Sequence, residues 1–207
     1  MNIKANISDP VVKDILEAAL AEFANYGLPG ARVEAIVART QTSKRMIYYH
    51  FGSKEGLYVA TLGYAYRKVG VGEIEQQLEV LPPLEALGLN AETAFERFCA
   101  TPDFIRLTMQ ENLQGAKFLE SWPALKAMNQ ARLAVVERIV ERGKADGSIR
   151  DDVTPLDVYI NFVGLCVYHI SAAQSYRVLF DVDASDAEVQ QRRKASIREA
   201  IVRYVRA

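Results

Sequence analysis

Between Arg39 and Lys54 the chain carries four basic residues, Arg39, Lys44, Arg45 and Lys54, and no acidic one. Tyr48, Tyr49 and His50 are set among them. Cations with interleaved rings and hydroxyls suit a polyanion. Ammonium and guanidinium groups neutralise phosphates, and tyrosine hydroxyls and an imidazole add neutral hydrogen bonds. The whole chain has a formal net charge of −1, so affinity for nucleic acid must come from this local patch.

Other chemistries find little material. The two cysteines, Cys99 and Cys166, lie far apart with no neighbouring ligand pattern, which argues against a disulfide framework or a zinc site and fits a reducing compartment. With only His50 and His169, and no nucleophile elbow, phosphate loop or metal-ligand cluster, acid–base catalysis has few candidates, so no catalytic residue, metal or cofactor is expected. The opening residues lack the apolar run of a signal peptide. The most apolar stretch, Leu156 to Ala173, is interrupted by Asp157, Asn161 and His169 and reads as a buried core helix rather than a membrane span. A soluble, cytoplasmic protein is the expectation. A purely structural or protein-interaction helical domain is a rival reading, but it gives no reason for the acid-free patch.

The elements that must position the patch are helices. Ser8-Asp9-Pro10 supplies a cap and a first-turn proline, Ile15, Leu16, Ala19, Leu20 and Phe23 recur at helical spacing, and Gly27 closes the segment. After a Pro29-Gly30 turn, a short second helix sets Val33, Ile36, Val37 and Thr40 on one face. The polar break Gln41-Thr42-Ser43 leads into a third helix, Lys44 to Phe51. On its wheel Ile47 and Phe51 face inward, while Arg45, Met46 and Tyr49 face outward, flanked by Tyr48 and His50. Short helices with tight joints are the dimensions of a helix-turn-helix, whose second helix enters the major groove. Lys54 in the first turn of a fourth helix opposes the macrodipole, and a DNA phosphate at that N-terminus would reverse the sign.

The fourth helix is expected to run from Lys54 to about Leu78, loosened by Gly70 and Gly72. Pro82-Pro83 ends it, and Leu84 to Cys99 forms one helix or two. Thr101-Pro102 caps and opens a sixth, Asp103 to about Leu113; Ser121 and Pro123 do the same for a seventh, ending near Gly143 to Gly147. Thr154-Pro155 starts an eighth reaching about Phe180, and Ser185 with Glu188 forms a capping box for a ninth. The fold class is all-α with about nine helices. The expected domains are residues 1–55, a three-helix DNA-binding head, and residues 56–207, a helical sensing and dimerisation domain.

The run from Ser43 to Leu57, Ser-Lys-Arg-Met-Ile-Tyr-Tyr-His-Phe-Gly-Ser-Lys-Glu-Gly-Leu, resembles the signature of TetR-family regulators, and Ile15 through Phe23 and Gly27 is similar to that family's first helix. The match covers about residues 13 to 62. The resemblance implies a homodimer on a palindromic operator, with repression relieved when a small-molecule effector enters the C-terminal domain. Carried over by position, it makes Lys44, Arg45 and Met46 candidates for base edges, with Arg45 favouring guanine and Met46 a thymine methyl. Tyr48, Tyr49, His50 and Lys54 become candidates for phosphate, with Arg32, Thr42 and Ser43 beside them. Two departures stand out. Thr40-Gln41-Thr42 lacks the family's turn glycine, so either Gln41 adopts the turn with some strain or the turn differs slightly, and Arg32 replaces the Ser or Thr that caps the second helix.

The stretch from Pro82 through Asp103 to Leu107 and on to Glu111 to Leu113 is similar to one sub-group of TetR-type C-terminal domains, which names no ligand. Ile105, Met109 and Asn112 share a face, where Asn112 either orients a ligand or satisfies backbone near Gly115. Phe104, Phe118, Trp122 and Phe162 line a cavity or are plain core. Cys166 and His169 lie on the eighth helix, Cys166 as a candidate ligand contact and His169 as either a satisfied buried histidine or a ligand contact. Glu111 is a candidate partner for an arginine. The eighth helix is apolar almost all round and must be covered on more than one side. With Ile197, Ile201, Tyr204 and Val205 of the ninth, and Ala172 and Ala173 allowing close approach, it makes a candidate four-helix dimer interface. Arg192-Arg193-Lys194 reads as a solvated face. An effector would shift the sixth helix, tilt the fourth and change the separation of the recognition helices.

Overall fold

The structure, a computed structural model, describes residues 8–70, 74–120 and 123–207. Among them are eleven helices: α1 (Pro10–Gly30), α2 (Val33–Val37), α3 (Lys44–Phe51), α4 (Lys54–Lys68), α5 (Glu75–Val80), α6 (Pro83–Ala100), α7 (Pro102–Leu113), α8 (Pro123–Ala145), α9 (Pro155–Ser171), α10 (Ala173–Phe180) and α11 (Ala187–Val205). The β pairing among the described residues is a single bridge, Ile149 to Arg206. The all-α expectation holds, with two helices more than expected. The fourth helix stops at Lys68, and Gly70, at φ +61°, turns the chain out of helical geometry. Gly72 and Ser121 lie outside the described residues. The eighth expected helix breaks after Ser171, and its two parts, α9 and α10, meet at a 61° bend. No single described helix is long and apolar enough to cross a membrane.

Two compact units divide the chain. The first contains residues 8–70 together with 101–120 and 123–125, hence α1 to α4 and α7. Its core is the apolar stripe of α1, where Val12, Ile15, Leu16, Ala19, Leu20 and Phe23 are buried against α4 and α7. Asp9 accepts from the Val11 N–H at 2.9 Å and Pro10 opens the helix. Gly27, at φ +63°, breaks α1 where the sequence places its end, and a side chain there would meet Gln110 Oε1 at 3.2 Å. The joint between α3 and α4 is tighter: a Cβ on Gly56 would sit 2.0 Å from the Phe51 carbonyl oxygen.

The second unit contains residues 74–100 and 126–207. Here α6 is one continuous helix, packed chiefly on α11 and next on α9. The expected interface stripe of α11 turns out to serve this packing: Ile197, Ile201 and Val205 are fully buried within the chain, and Tyr204 stays open. An apolar stripe must be covered, and the cover here is the chain's own α6. Ala172 and Ala173 fall at the bend between α9 and α10. Arg193 and Lys194 are not a solvated run. Arg193 donates to the Leu165 carbonyl at 3.3 Å and Lys194 to Glu96 at 2.7 Å, tying α11 to α9 and α6, while Arg192 alone faces solvent beside Glu188. Asp186 rather than Ser185 caps α11, accepting from the Glu188 and Val189 N–H groups; Ser185 bonds Asp183 instead. Arg142 fastens α8 to the end of α5 through the Leu78, Glu79 and Leu81 carbonyls.

Candidate nucleic-acid interface

The sequence folds Lys44–Phe51 as a helix because both ends are satisfied locally. Ser43 Oγ accepts from the Met46 N–H at 3.2 Å, and Gly52, at φ +77°, takes the left-handed turn that ends it. Ile47 and Phe51 are buried, fixing the helix against α2 and α4. That anchorage leaves Arg45, Met46, Tyr48 and Tyr49 on the open side, with Met46 39% and Tyr49 65% exposed. Exposed tyrosine and methionine side by side on a short helix carry no packing benefit in the free chain. They form the surface a major groove would receive. His50 is half-buried, its ring edge-on to Tyr49 at 5.3 Å.

Not every cation of the patch is free. Lys44 pairs with Glu34 in the first turn of α2, and their short hydrogen bond pushes the Lys44 pKa up and the Glu34 pKa down. Arg32 also acts on Glu34, so these three lie together at the α2–α3 edge. Arg39 sits 3.4 Å from the buried Glu22, whose other oxygen accepts from the Arg32 N–H at 3.0 Å. Glu22 thus braces the α2 entry that lacks a side-chain cap at Arg32. Position 22 lies seven residues after Ile15, on the buried stripe of α1, and an acid there signals a buried partner. Gln41 is free of the expected strain. Its φ is negative, and the Thr40 hydroxyl closes the turn on the Ile36 and Val37 carbonyls at 3.3 Å. Thr42 is half-buried beside the cap.

Lys54 is half-buried and reaches the Pro29 carbonyl at 3.3 Å, joining the start of α4 to the end of α1. Ser53 caps α4 through the Gly56 N–H at 3.0 Å, and Glu55 folds back on its own N–H, which holds the carboxyl below its ordinary range. An acid in that first turn offsets the unfavourable lysine.

Behind the interface, α4 and α7 are joined by a buried polar pair. The Tyr58 hydroxyl donates to Glu111 Oε2 at 2.9 Å, and the Phe118 N–H donates to Glu111 Oε1 at 2.6 Å. Glu111 therefore meets a tyrosine, not an arginine. Position 111 lies seven residues after Phe104 on the buried face of α7, the same signal as Glu22. Burial and the Glu111 hydrogen bond push the Tyr58 hydroxyl pKa well up.

The expected ligand residues fall in both units. Phe104 is core, edge-on to Tyr66 at 5.0 Å; Phe118 is half-buried against Tyr58 at 5.2 Å. Met109 and Asn112 are exposed on α7. Trp122 lies outside the described residues. In the second unit Phe162 is buried edge-on to Tyr159, and burial pushes the Cys166 thiol up to about 12. His169 is a satisfied core histidine, 3.1 Å from the Ala184 carbonyl, and burial lowers its pKa. Among the grooves of this unit are one of about 390 Å³ over Phe95 and Cys99 beside Gln190 and Lys194, and one of about 480 Å³ between Ile160, Gly164 and Tyr204.

Two family models cover the chain. Residues 15–61 match bacterial regulatory proteins of the tetR family, and residues 83–201, more than half the chain, match the tetracyclin repressor-like C-terminal domain. The chain belongs to the TetR family. It is a helix-turn-helix transcriptional regulator, as the open face of α3 anticipates. The HTH-type transcriptional repressor NicS of Pseudomonas putida is 28% identical over 188 residues, 91% of this chain and 89% of NicS. Among solved TetR-like folds, the putative transcriptional regulator SCO4942 of Streptomyces coelicolor superposes with a TM-score of 0.67 at 24% identity, over 94% of this chain and 98% of its own. FadR of Bacillus subtilis, solved in complex with stearoyl-CoA, gives 0.67 at 16% identity over 92% and 97%.

Proposed function

We propose that this TetR-family regulator is a repressor that binds a palindromic operator as a homodimer and releases it when a small molecule occupies its C-terminal region. The observation that carries the reading is α3 itself, whose buried Ile47 and Phe51 present Arg45, Met46, Tyr48 and Tyr49 outward as a rigid set. Arg45 and Met46 read base edges. Tyr48, Tyr49, His50, Lys54 and Arg32 hold phosphates, and Lys44 joins them by exchanging Glu34 for a phosphate oxygen. Repression is supported by the names of curated relatives such as NicS, and a small-molecule effector by the stearoyl-CoA held by FadR.

The dimer reading rests on the open side of the second unit. Leu156, Ile160 and Tyr168 of α9 are exposed, Gly164 has open space where a Cβ would stand, and Tyr204 of α11 lies beside them. Packed on a second copy, α9 and α11 form a four-helix contact, and the two-fold axis it creates matches a palindrome. The route for release runs through α7. A displacement of α7 by effector moves Glu111, and with it Tyr58 and α4, which carries α3. Selection of duplexes from a random pool, followed by titration of the winner at rising salt, tests the reading. An inverted repeat bound with a steep salt dependence is expected; asymmetric or salt-insensitive binding overturns it.

A further inference from the structure

We propose that α10 is a docking arm for a second copy of the chain, seating its Val178, Leu179 and Phe180 on the N-terminal end of the partner's α9. The inference rests on the homodimer reading above and extends it beyond the α9–α11 contact. No residue of α10 is buried, and Val178, Leu179 and Phe180 are 78%, 69% and 65% exposed. Lone surface hydrophobics are ordinary, but three large ones in the last turn of one helix leave its tip apolar on most sides and ask for cover. The helix is nevertheless well closed. Asp181 takes the left-handed conformation at φ 54°, and the Asp181 and Val182 N–H groups both return to the Tyr176 carbonyl.

The patch is continuous with the open side of α9. The rings of Tyr168 and Tyr176 are 6.0 Å apart and those of Tyr176 and Phe180 6.4 Å, so an aromatic file leads from the end of α9 to the tip of α10. Area argues the same way. Leu156, Ile160, Tyr168 and Tyr204, each only partly exposed, are four side chains. A stable interface takes roughly 800 Å² per partner. The α10 side chains extend the strip toward that figure.

The seat follows from the placement of the axis. A two-fold axis set perpendicular to α9 near Gly164, midway along a helix of 17 residues and about 26 Å, makes the partner's α9 antiparallel. Each α10 then lies beyond the C-terminal end of its own α9, opposite the partner's Leu156. The exposed Asp151, Asp152 and Asp157 flank the start of α9 in the chain, Asp152 already 3.3 Å from Arg150, and the exposed Arg177 of α10 supplies a cation that can meet Asp151 or Asp157.

Sedimentation velocity of the full chain over a dilution series tests the arm. L179D/F180D is expected to raise the dimer dissociation constant at least tenfold while the far-ultraviolet helix signal stays unchanged. I160D serves as the comparison on the α9 face. A constant within twofold of wild type for L179D/F180D, with I160D raising it tenfold, overturns the arm and leaves the homodimer standing. A wild-type chain that remains monomeric at micromolar concentration, with or without operator, overturns both. Loss of binding to phospholipid vesicles by L179D/F180D, with the dimer constant unmoved, overturns the arm in favour of a membrane surface. For the seat, F180C combined with L156C should yield a covalent dimer on mild oxidation; absence of that product overturns the antiparallel placement.

Discussion

Removing the Tyr58 hydroxyl isolates the bond between α4 and α7. In Tyr58→Phe the ring keeps its place, edge-on to Phe23 at 5.0 Å and to Phe118 at 5.2 Å, so packing is retained. What is lost is the donor to Glu111 Oε2, 2.9 Å away, in a side chain with no solvent exposure. A buried acceptor left without its partner costs about 1–3 kcal/mol. Taking about 2 kcal/mol, the unfolding equilibrium shifts by roughly 30-fold. For a chain of this size the melting temperature falls by about 4–8 °C. Glu111→Leu costs more, because the Phe118 N–H, 2.6 Å from Oε1, is orphaned as well. The double variant should lose less than the sum of the singles, with a coupling of about 1–2 kcal/mol. Denaturant melts of the four proteins supply the cycle. A Tyr58→Phe protein within about 0.5 kcal/mol of wild type, or an additive cycle, refutes the claim that this pair fastens α7 to α4.

Four further outcomes follow from the same structure. Tyr58 ionises above its ordinary range because of burial first and Glu111 second, so its contribution to stability is whole below about pH 10 and fades as pH rises toward the folded value. Wild type should therefore lose stability more steeply than Tyr58→Phe above pH 10, followed by tyrosinate absorbance alongside unfolding. His169 is held below its ordinary value by burial, so its share is present above about pH 6.5 and lost as pH falls; His169→Phe should flatten the stability difference between pH 7.5 and pH 5. Glu34→Gln releases Lys44 and should tighten duplex binding while steepening the salt slope by about one phosphate contact, read by anisotropy. Gly56→Ala, an exchange that favours an ordinary helix interior by about 1 kcal/mol, should here weaken operator binding at least tenfold, because its Cβ meets the Phe51 carbonyl at 2.0 Å.

Much of the head was legible because its signals are local. Ser43, Ser53 and Asp9 cap the helices that follow them, and Gly27 and Gly52 turn where a left-handed residue is required. The two faces of α3 follow from helical spacing alone. What escaped depends on partners distant in the chain. An apolar stripe such as Ile197, Ile201 and Val205 declares that it is covered but not by which molecule, and here α6 covers it. Glu111 and Tyr58 are 53 residues apart, so periodicity marks the acid as buried without naming its donor. The bend after Ser171 has neither glycine nor proline to announce it. Ser185 and Asp186 are adjacent cap candidates, and only the geometry chooses between them. Lys44 and Arg39 looked free in an acid-free run, yet Glu34 and Glu22 reach them from preceding helices.

The measurement closest to the central claim compares wild type and Arg45→Ala on two duplexes of equal length, the selected operator and a scrambled sequence, at one fixed salt concentration. If the outward face of α3 reads DNA, wild type favours the operator by about 10³-fold or more. Arg45→Ala should then lose about 1–3 kcal/mol of that preference while keeping nearly all its affinity for the scrambled duplex. An unchanged operator preference in Arg45→Ala, or an equal loss on both duplexes, contradicts the assignment of α3 as the helix that reads the sequence.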